Sequence, residues 1–355
     1  MYNKKMRAAI VKSAEIIEIE NIDIPECGSD DVLIEIKSCA ICSSDIRVIK
    51  YPGPGQPPYG KFIPGHEYSG VIVEVGEQVD EFNIGDRVTT EAHYGCGRCS
   101  NCRRGLYTSC LNWGDDKRGH RVNGKTTPGG FAEYVVNHVS TVYKIPDSIS
   151  FDEASLITNA GCVLYGFEKS GGYIVGDNVA VIGDGSIGLI SVQIAKVLGA
   201  DNVTLFGLDN YKMELGKKFG ADKVFNFKTT HPVRLLKESP NSGVDFSIEA
   251  SGSDSGIAAA LELPKWGGKS LLIGIPKTGD VTADFKDFIR GNKNIYSVRG
   301  EGLSSCGRAV SLLKNKRLNL SSLITHNFKL AEINEAIDIH QNENEMSIKV
   351  IINPR

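Results

Sequence analysis

The chain has 355 residues, 41% hydrophobic and 23% charged, with 39 glycines against 13 prolines. That length exceeds the reach of one hydrophobic core, which rarely grows past about 250–300 residues, and it predicts two domains. With 40 basic and 43 acidic residues the formal net charge is −3, without the strongly basic face that nucleic-acid binding requires. The N-terminal MYNKKMRAAIVKSAEIIEIE carries charges every few residues and lacks the apolar core of a signal peptide. No stretch approaches the roughly 20 apolar residues of a membrane span. A cytoplasmic protein with no nucleic-acid or membrane partner is expected.

The first hundred residues read as short β segments broken by Gly and Pro. VLIEIKS (32–38) alternates apolar and polar residues as a half-buried strand does, and so do YSGVIVEVG (68–76) and DRVTT (86–90). YPGPGQPPYGKFIPG (51–65) is too rich in Pro and Gly for regular structure and reads as a surface loop. GGFAEYVV (129–136) is a further strand with a glycine lead-in. After about residue 150 the texture becomes βαβ. DNVAVIGDG (177–185), NVTLFGL (202–208), VDFSIEAS (244–251) and KSLLIGI (269–275) are continuous apolar runs. Between them SIGLISVQIAKVLGA (186–200) and YKMELGKKFGA (211–221) show helical spacing. Alternating strand and helix predicts a parallel sheet with right-handed crossovers. The tail adds a helix near RAVSLLKNK (308–316) and a closing strand, IKVIINP (348–354). The expected fold class is α/β, a nucleotide-binding insert within a β-rich domain built from both chain ends.

Three constellations carry chemistry. Cys96, Cys99, Cys102 and Cys110 bring four thiolates onto one short loop, which suits a closed, tetrahedral structural zinc site. IPGHEYSG (63–70), with AICSSD (40–45) before it, offers Cys42, His66 and Glu67. Three protein ligands with one open position is the pattern of catalytic zinc. Ser44 adds a hydroxyl that can relay an alcohol proton, and Asp45 a carboxylate that can orient the imidazole. Gly183, Gly185 and Gly188 form a GxGxxG turn directly after VAVI and at the start of a helix, the context in which a pyrophosphate meets a helix N-terminus.

Together these motifs, with GGFAEYVV and LITHNF (323–328), resemble the zinc-containing medium-chain dehydrogenase/reductases, the alcohol, sorbitol and threonine dehydrogenases. The resemblance covers nearly the whole chain. It implies a GroES-like catalytic domain over 1–153 and 296–355, with a zinc lobe at about 93–113, and a Rossmann domain over 154–295. It also implies an active site in the cleft between them, a homodimer or homotetramer, two zinc ions per chain, and NAD or NADP. Cys42, His66 and Glu67 then surround the catalytic zinc and Ser44 relays the proton. Ser186, Ile187, Ser251, Ile273 and Ile275 join the glycines as cofactor-binding candidates.

Three positions depart from the family pattern. Asn159 stands where a further Cys or Glu ligand is common, so the metal relies on Glu67 or is held more weakly. Nearby Cys162 is out of register and reads as a buried thiol. Gly207 stands where an acidic residue selects NAD, with Asp209, Asn210 and Lys212 close behind it. No arginine stands beside Gly207 to favour NADP, and Asp209 can serve the ribose, so the balance tips to NAD. Arg47 replaces a proton-carrying histidine. It is a candidate to contact an acidic substrate group or the cofactor phosphate, or else a solvated surface charge. Arg299 and Glu301 are candidates to grip substrate hydroxyls, against a solvent-exposed alternative.

The expected activity is oxidation of a secondary alcohol, a polyol, sugar alcohol or cyclitol, to its ketone with NAD(P). The alternatives are an amino-alcohol such as threonine or a simple alcohol or aldehyde as substrate. A nucleotide-binding protein that has lost catalysis is the third.

Overall fold

The computed structural model describes residues 5–51, 56–239, 241–276, 279–342 and 346–355. It divides into two compact units, one comprising residues 1–161, 300–314 and 320–355, the other residues 162–299 and 315–319. Among the described residues, no helix is long and apolar enough to cross a membrane.

The first unit is built on a seven-stranded sheet to which both chain ends contribute. Strand Asp31–Ala40 lies at its centre, antiparallel to Glu67–Val75 on one side and to the C-terminal strand Lys349–Asn353 on the other. The register pairs Ala40 with both Glu67 and Ile351. It therefore gathers the start of one strand, the end of a second and the last strand of the chain at one point. Ile34, Ile36, Tyr68, Ile72, Phe131, Val350 and Ile352 fill the core beside that point. The expected strands at 32–38, 68–76, 86–90 and 348–354 are all present, each within a residue or two of its expected ends. The strand expected at 129–136 is regular only over Tyr134–His138, because Ala132 makes an isolated bridge to Ala8 instead.

The expected loop 51–65 is irregular and exposed or half-exposed at residue 51 and over 56–61, but its end turns inward. Residues 52–55 lie outside the described residues, but Phe62 and Ile63 are buried. Gly65 (φ +92°) then passes so close to Phe131 that a Cβ would lie 2.9 Å from its backbone nitrogen. The motif glycine lets the loop turn inward and deliver His66 immediately before the strand that starts at Glu67.

The second unit is a six-stranded parallel sheet. Its strands in chain order are β1 (Asn178–Ile182), β2 (Asn202–Gly207), β3 (Lys223–Asn226), β4 (Val244–Glu249), β5 (Pro264–Leu272) and β6 (Asn294–Ser297). Their spatial order, 3-2-1-4-5-6, is the doubly wound dinucleotide-binding arrangement. Burial on both faces accounts for the unbroken apolar runs VAVI and VTLF, with Ala180, Ile182, Phe206 and Val244 in the core.

Candidate active site and metal centres

Helix α1 (Ser43–Lys50) begins three residues beyond the end of the central strand, with Cys42 in extended conformation as its N-cap. The Cys42 backbone N–H donates to Asp45 Oδ2 at 2.9 Å, while Asp45 Oδ1 faces His66 Nδ1 at 2.8 Å. One buried carboxylate thus fixes both the helix start and the imidazole, leaving Nε2 as the ring atom that can meet a metal. The ligand atoms of Cys42, His66 and Glu67 lie within 4.8 Å of one another. Ser44 Oγ stands 3.2 Å from Cys42 Sγ and 3.4 Å from His66 Nε2.

Charge in this pocket is balanced by contact rather than by solvent. Burial opposes the charged imidazole of His66, yet Asp45 outweighs it and raises the His66 pKa to about 10. Burial and Glu67 push the Cys42 thiol up, and His66 more than reverses this, leaving it below its ordinary value. Glu67 is held at both oxygens: Asn159 Nδ2 donates to Oε1 at 2.7 Å and Lys349 Nζ to Oε2 at 2.5 Å. Burial works against the Lys349 charge, but Glu67 raises its pKa overall. Lys349 was invisible to the sequence reading. It reaches the site because the C-terminal strand lies two places from the strand that Glu67 begins.

Asn159 sits in α2 (Ile157–Lys169), where the first unit ends at Gly161 and the second begins at Cys162. It joins Glu67, and its side chain is 7% exposed. Cys162 is half-buried. Arg47 is exposed in the last turn of α1, three residues after Ser44 and so on the same helix face.

The four-cysteine lobe fits its metal closely. Cys96 and Cys102 Sγ are 3.9 Å apart, and Cys99 and Cys110 Sγ 4.0 Å. Tetrahedral zinc with Zn–S bonds of about 2.3 Å requires sulfurs about 3.8 Å apart. Amide groups already point at the sulfurs, from Asn112 Nδ2 to Cys96 at 3.1 Å and from the Cys102 N–H to Cys99 at 3.4 Å. Burial disfavours the Cys96 thiolate, and donors that include the Arg98 and Cys99 backbone outweigh it, bringing the thiol down to about 6.

Beside this lobe lies a polar cluster that the sequence reading touched only at Glu301. Glu301 is 3% exposed. Its Oε1 accepts from the Ala92 N–H and lies 3.5 Å from His93 Nδ1. The expected exposed or substrate-gripping carboxylate is therefore a buried one, already engaged by Ala92. Burial raises the Glu301 pKa, but His93 lowers it further, to about 2. Glu91, also buried, accepts from Tyr143 Oη at 2.8 Å. Arg299 is exposed at the end of the second unit.

In the second unit the three motif glycines have three separate duties. Gly183 adopts φ +112°, and a Cβ there would lie 2.8 Å from the Ser251 nitrogen. At Gly188 a Cβ would lie 1.8 Å from the Gly183 carbonyl oxygen, so only glycine permits the close packing of α3 (Ser186–Val197) on the turn. Gly185, the N-cap of α3, has open space where its Cβ would be, at the mouth of the helix. A pyrophosphate fits there, next to the N-terminal residues Ser186 and Ile187. Gly207 ends β2 as expected. Asp184 covers it: a Cβ on Gly207 would lie 2.5 Å from Asp184 Oδ2. That carboxylate accepts the N–H groups of Leu208 and Asp209 at 2.7 and 2.8 Å. Asp209 caps helix α4 (Asn210–Lys218) by accepting the Lys212 N–H at 2.9 Å. Ser251 donates its N–H to Glu249 Oε1 at 2.7 Å, Ile273 is half-buried, and Ile275 is exposed.

Comparison with known proteins agrees with this geometry. Residues 28–147 match the alcohol dehydrogenase GroES-like domain and residues 186–315 the zinc-binding dehydrogenase family. L-threonine 3-dehydrogenase of Vibrio parahaemolyticus serotype O3:K6 is 33% identical over 351 residues, covering 96% of this chain and 97% of its own. A protein of Sinorhizobium meliloti 1021 solved bound to NADP superposes with TM-score 0.89 at 28% identity, covering 99% of this chain and 100% of the other. Galactitol-1-phosphate dehydrogenase from Escherichia coli gives TM-score 0.86 at 26% identity, covering 98% and 100%. With its two domain matches and a relative aligned almost end to end, the chain belongs to the zinc-containing medium-chain dehydrogenase/reductases and is a zinc- and NAD(P)-dependent enzyme of alcohol dehydrogenase type.

Proposed function

We propose that this enzyme interconverts a secondary alcohol bearing an anionic group and its ketone, with NAD as the hydride carrier. The observation behind the substrate class is Arg47, exposed one helical turn beyond Ser44 on the same face of α1. A guanidinium cannot carry the alcohol proton onward, but it pairs well with a carboxylate or phosphate. Threonine, the substrate in the relative's name, is a secondary alcohol with a carboxylate, and galactitol 1-phosphate is a polyol with a phosphate. This reading replaces the expected uncharged polyol with an anionic secondary alcohol, an amino-alcohol such as threonine or a phosphorylated polyol.

In this reading Cys42 and His66 hold the catalytic zinc, one of two per chain, and the four-cysteine lobe holds the other. Zinc, when bound, supplies Lewis acidity toward the alcohol oxygen, and the nicotinamide accepts hydride. Asp45 keeps the His66 ring turned with Nε2 inward. Ser44 Oγ accepts the alcohol proton and passes it outward. The turn around Gly185 receives the pyrophosphate. A homodimer or homotetramer completes the proposal.

Initial rates with L-threonine, galactitol 1-phosphate and uncharged polyols test the substrate class. Arg47→Gln should raise KM for the charged substrate about tenfold, the loss of one exposed charge pair worth about 1.4 kcal/mol, with kcat little changed. Activity confined to uncharged alcohols, or a KM indifferent to Arg47, would overturn it.

The NAD preference rests on Asp184. Its carboxylate occupies the ground that a side chain at position 207 would claim, so the glycine turn contributes the acid missing from the strand end. A 2′-phosphate there meets a like charge, with Asp209 two residues past Gly207. Asp184→Asn keeps the shape and an acceptor oxygen while removing the charge. The ratio of kcat/KM for NAD to that for NADP should fall about tenfold. An unchanged ratio would remove Asp184 from cofactor selection.

A further inference from the structure

Within the reading that Cys42 and His66 hold zinc, the structure assigns a further ligand: we propose that the amide oxygen of Asn159 binds that zinc, and that Glu67 and Lys349 position it. Asn159 is 7% exposed, and its Oδ1 is buried with no hydrogen-bond partner among the described residues. Buried acceptors are almost always satisfied, so an orphan among metal-ligating side chains points to a missing cation.

The orientation of the amide is not arbitrary. Nδ2 donates to Glu67 Oε1 at 2.7 Å. Turning the amide over would set its oxygen against a carboxylate oxygen, two acceptors with no proton between them. Glu67 therefore dictates which end of Asn159 faces away from it. Glu67 is itself occupied, with Lys349 Nζ on its other oxygen at 2.5 Å. A carboxylate bound at both oxygens and neutralised by a buried ammonium is poorly placed to be the main ligand, although it lies within 4.8 Å of the Cys42 and His66 donors. Cys42 Sγ, His66 Nε2 and Asn159 Oδ1 then make three protein ligands with a fourth position for the substrate, the arrangement of catalytic zinc.

The consequence is a cationic centre. One thiolate, one imidazole and one neutral amide leave the divalent ion and its three ligands a net charge of one, which the Asp45 carboxylate behind His66 offsets in part. Such a site holds zinc less tightly than one with a second thiolate, and it polarises the substrate oxygen more strongly. Asn159 here acts through the strength and charge of the metal site rather than by moving a proton.

A crystal structure of the zinc-loaded full chain should show Asn159 Oδ1 within about 2.2 Å of the metal. Competition with a zinc chelator should show Asn159→Ala weakening one of the two zinc ions about 10–100-fold, with the four-cysteine zinc unmoved. Asn159→Cys should tighten the same ion. With cobalt in its place, that variant should also intensify the thiolate-to-metal charge-transfer band. Zinc bound by Glu67 or water at that position, with Oδ1 turned away, would overturn the assignment, as would unchanged affinity in Asn159→Ala. A wild-type chain that takes up only one zinc would instead overturn the catalytic-zinc reading itself, and the Asn159 assignment with it.

Discussion

Lys349→Met should lower the unfolding free energy of the first unit by about 3–5 kcal/mol, the loss expected when one partner of a buried ion pair is removed. Both side chains are buried, Lys349 at 3% exposure and Glu67 at 0%. In the variant, Glu67 keeps the Asn159 amide but loses its only cationic partner among the hydrogen bonds seen. The double variant Glu67→Gln/Lys349→Met removes both charges and should recover most of the loss, since an uncharged pair of similar volume has no ion to strand. Denaturant unfolding of zinc-depleted and zinc-loaded protein separates the two sources of compensation. If zinc restores the single variant fully, the metal itself is neutralising Glu67. A single variant within 1 kcal/mol of wild type would mean that Lys349 is not the counter-charge.

The features legible in the sequence share one property: their geometry is local. The four cysteines fall within fifteen residues, so spacing alone brings them to zinc distance. The glycine turn is one strand end and one helix start, and Gly183 and Gly188 stand where backbone contact leaves no room for a Cβ. Cys42, Ser44 and Asp45 lie on one helical turn, and the GHE segment only has to reach it. What stayed hidden depends on register across the sheet. Lys349 is 282 residues from Glu67, and only the pairing of Ala40 with both Glu67 and Ile351 brings them together. Asp184 reads as a filler between two motif glycines until the strand end at Gly207 is set beneath it. Asn159 was legible as a departure but not as a donor, because which end of an amide faces a site is decided by its neighbour. Glu301 has no local signal that would separate an exposed acid from a buried one. Its burial follows from contact with Ala92 and His93, more than 200 residues earlier.

That buried cluster gives the protein an expected pH dependence of its own. Burial raises the Glu91 pKa from its ordinary 4.5 to about 7, and repulsion from Glu301 adds to the rise. A carboxyl whose folded-state pKa is raised binds its proton more tightly in the folded chain. Its favourable contribution is whole below about pH 4.5, where both states are protonated, and is lost as pH climbs through about 7. The shift of about 2.5 pKa units corresponds to a loss of about 3 kcal/mol by pH 8. Glu91→Gln stays neutral throughout, and its amide oxygen can still accept from Tyr143 Oη. Relative to wild type, the variant should therefore gain about 2–3 kcal/mol between pH 5 and pH 8, read from denaturant unfolding at the two values. The same stability difference at both pH values would show that Glu91 does not titrate in this range. A larger advantage at pH 5 would reverse the sign and mean that the folded protein stabilises the Glu91 carboxylate, against the burial and the Glu301 charge that surround it.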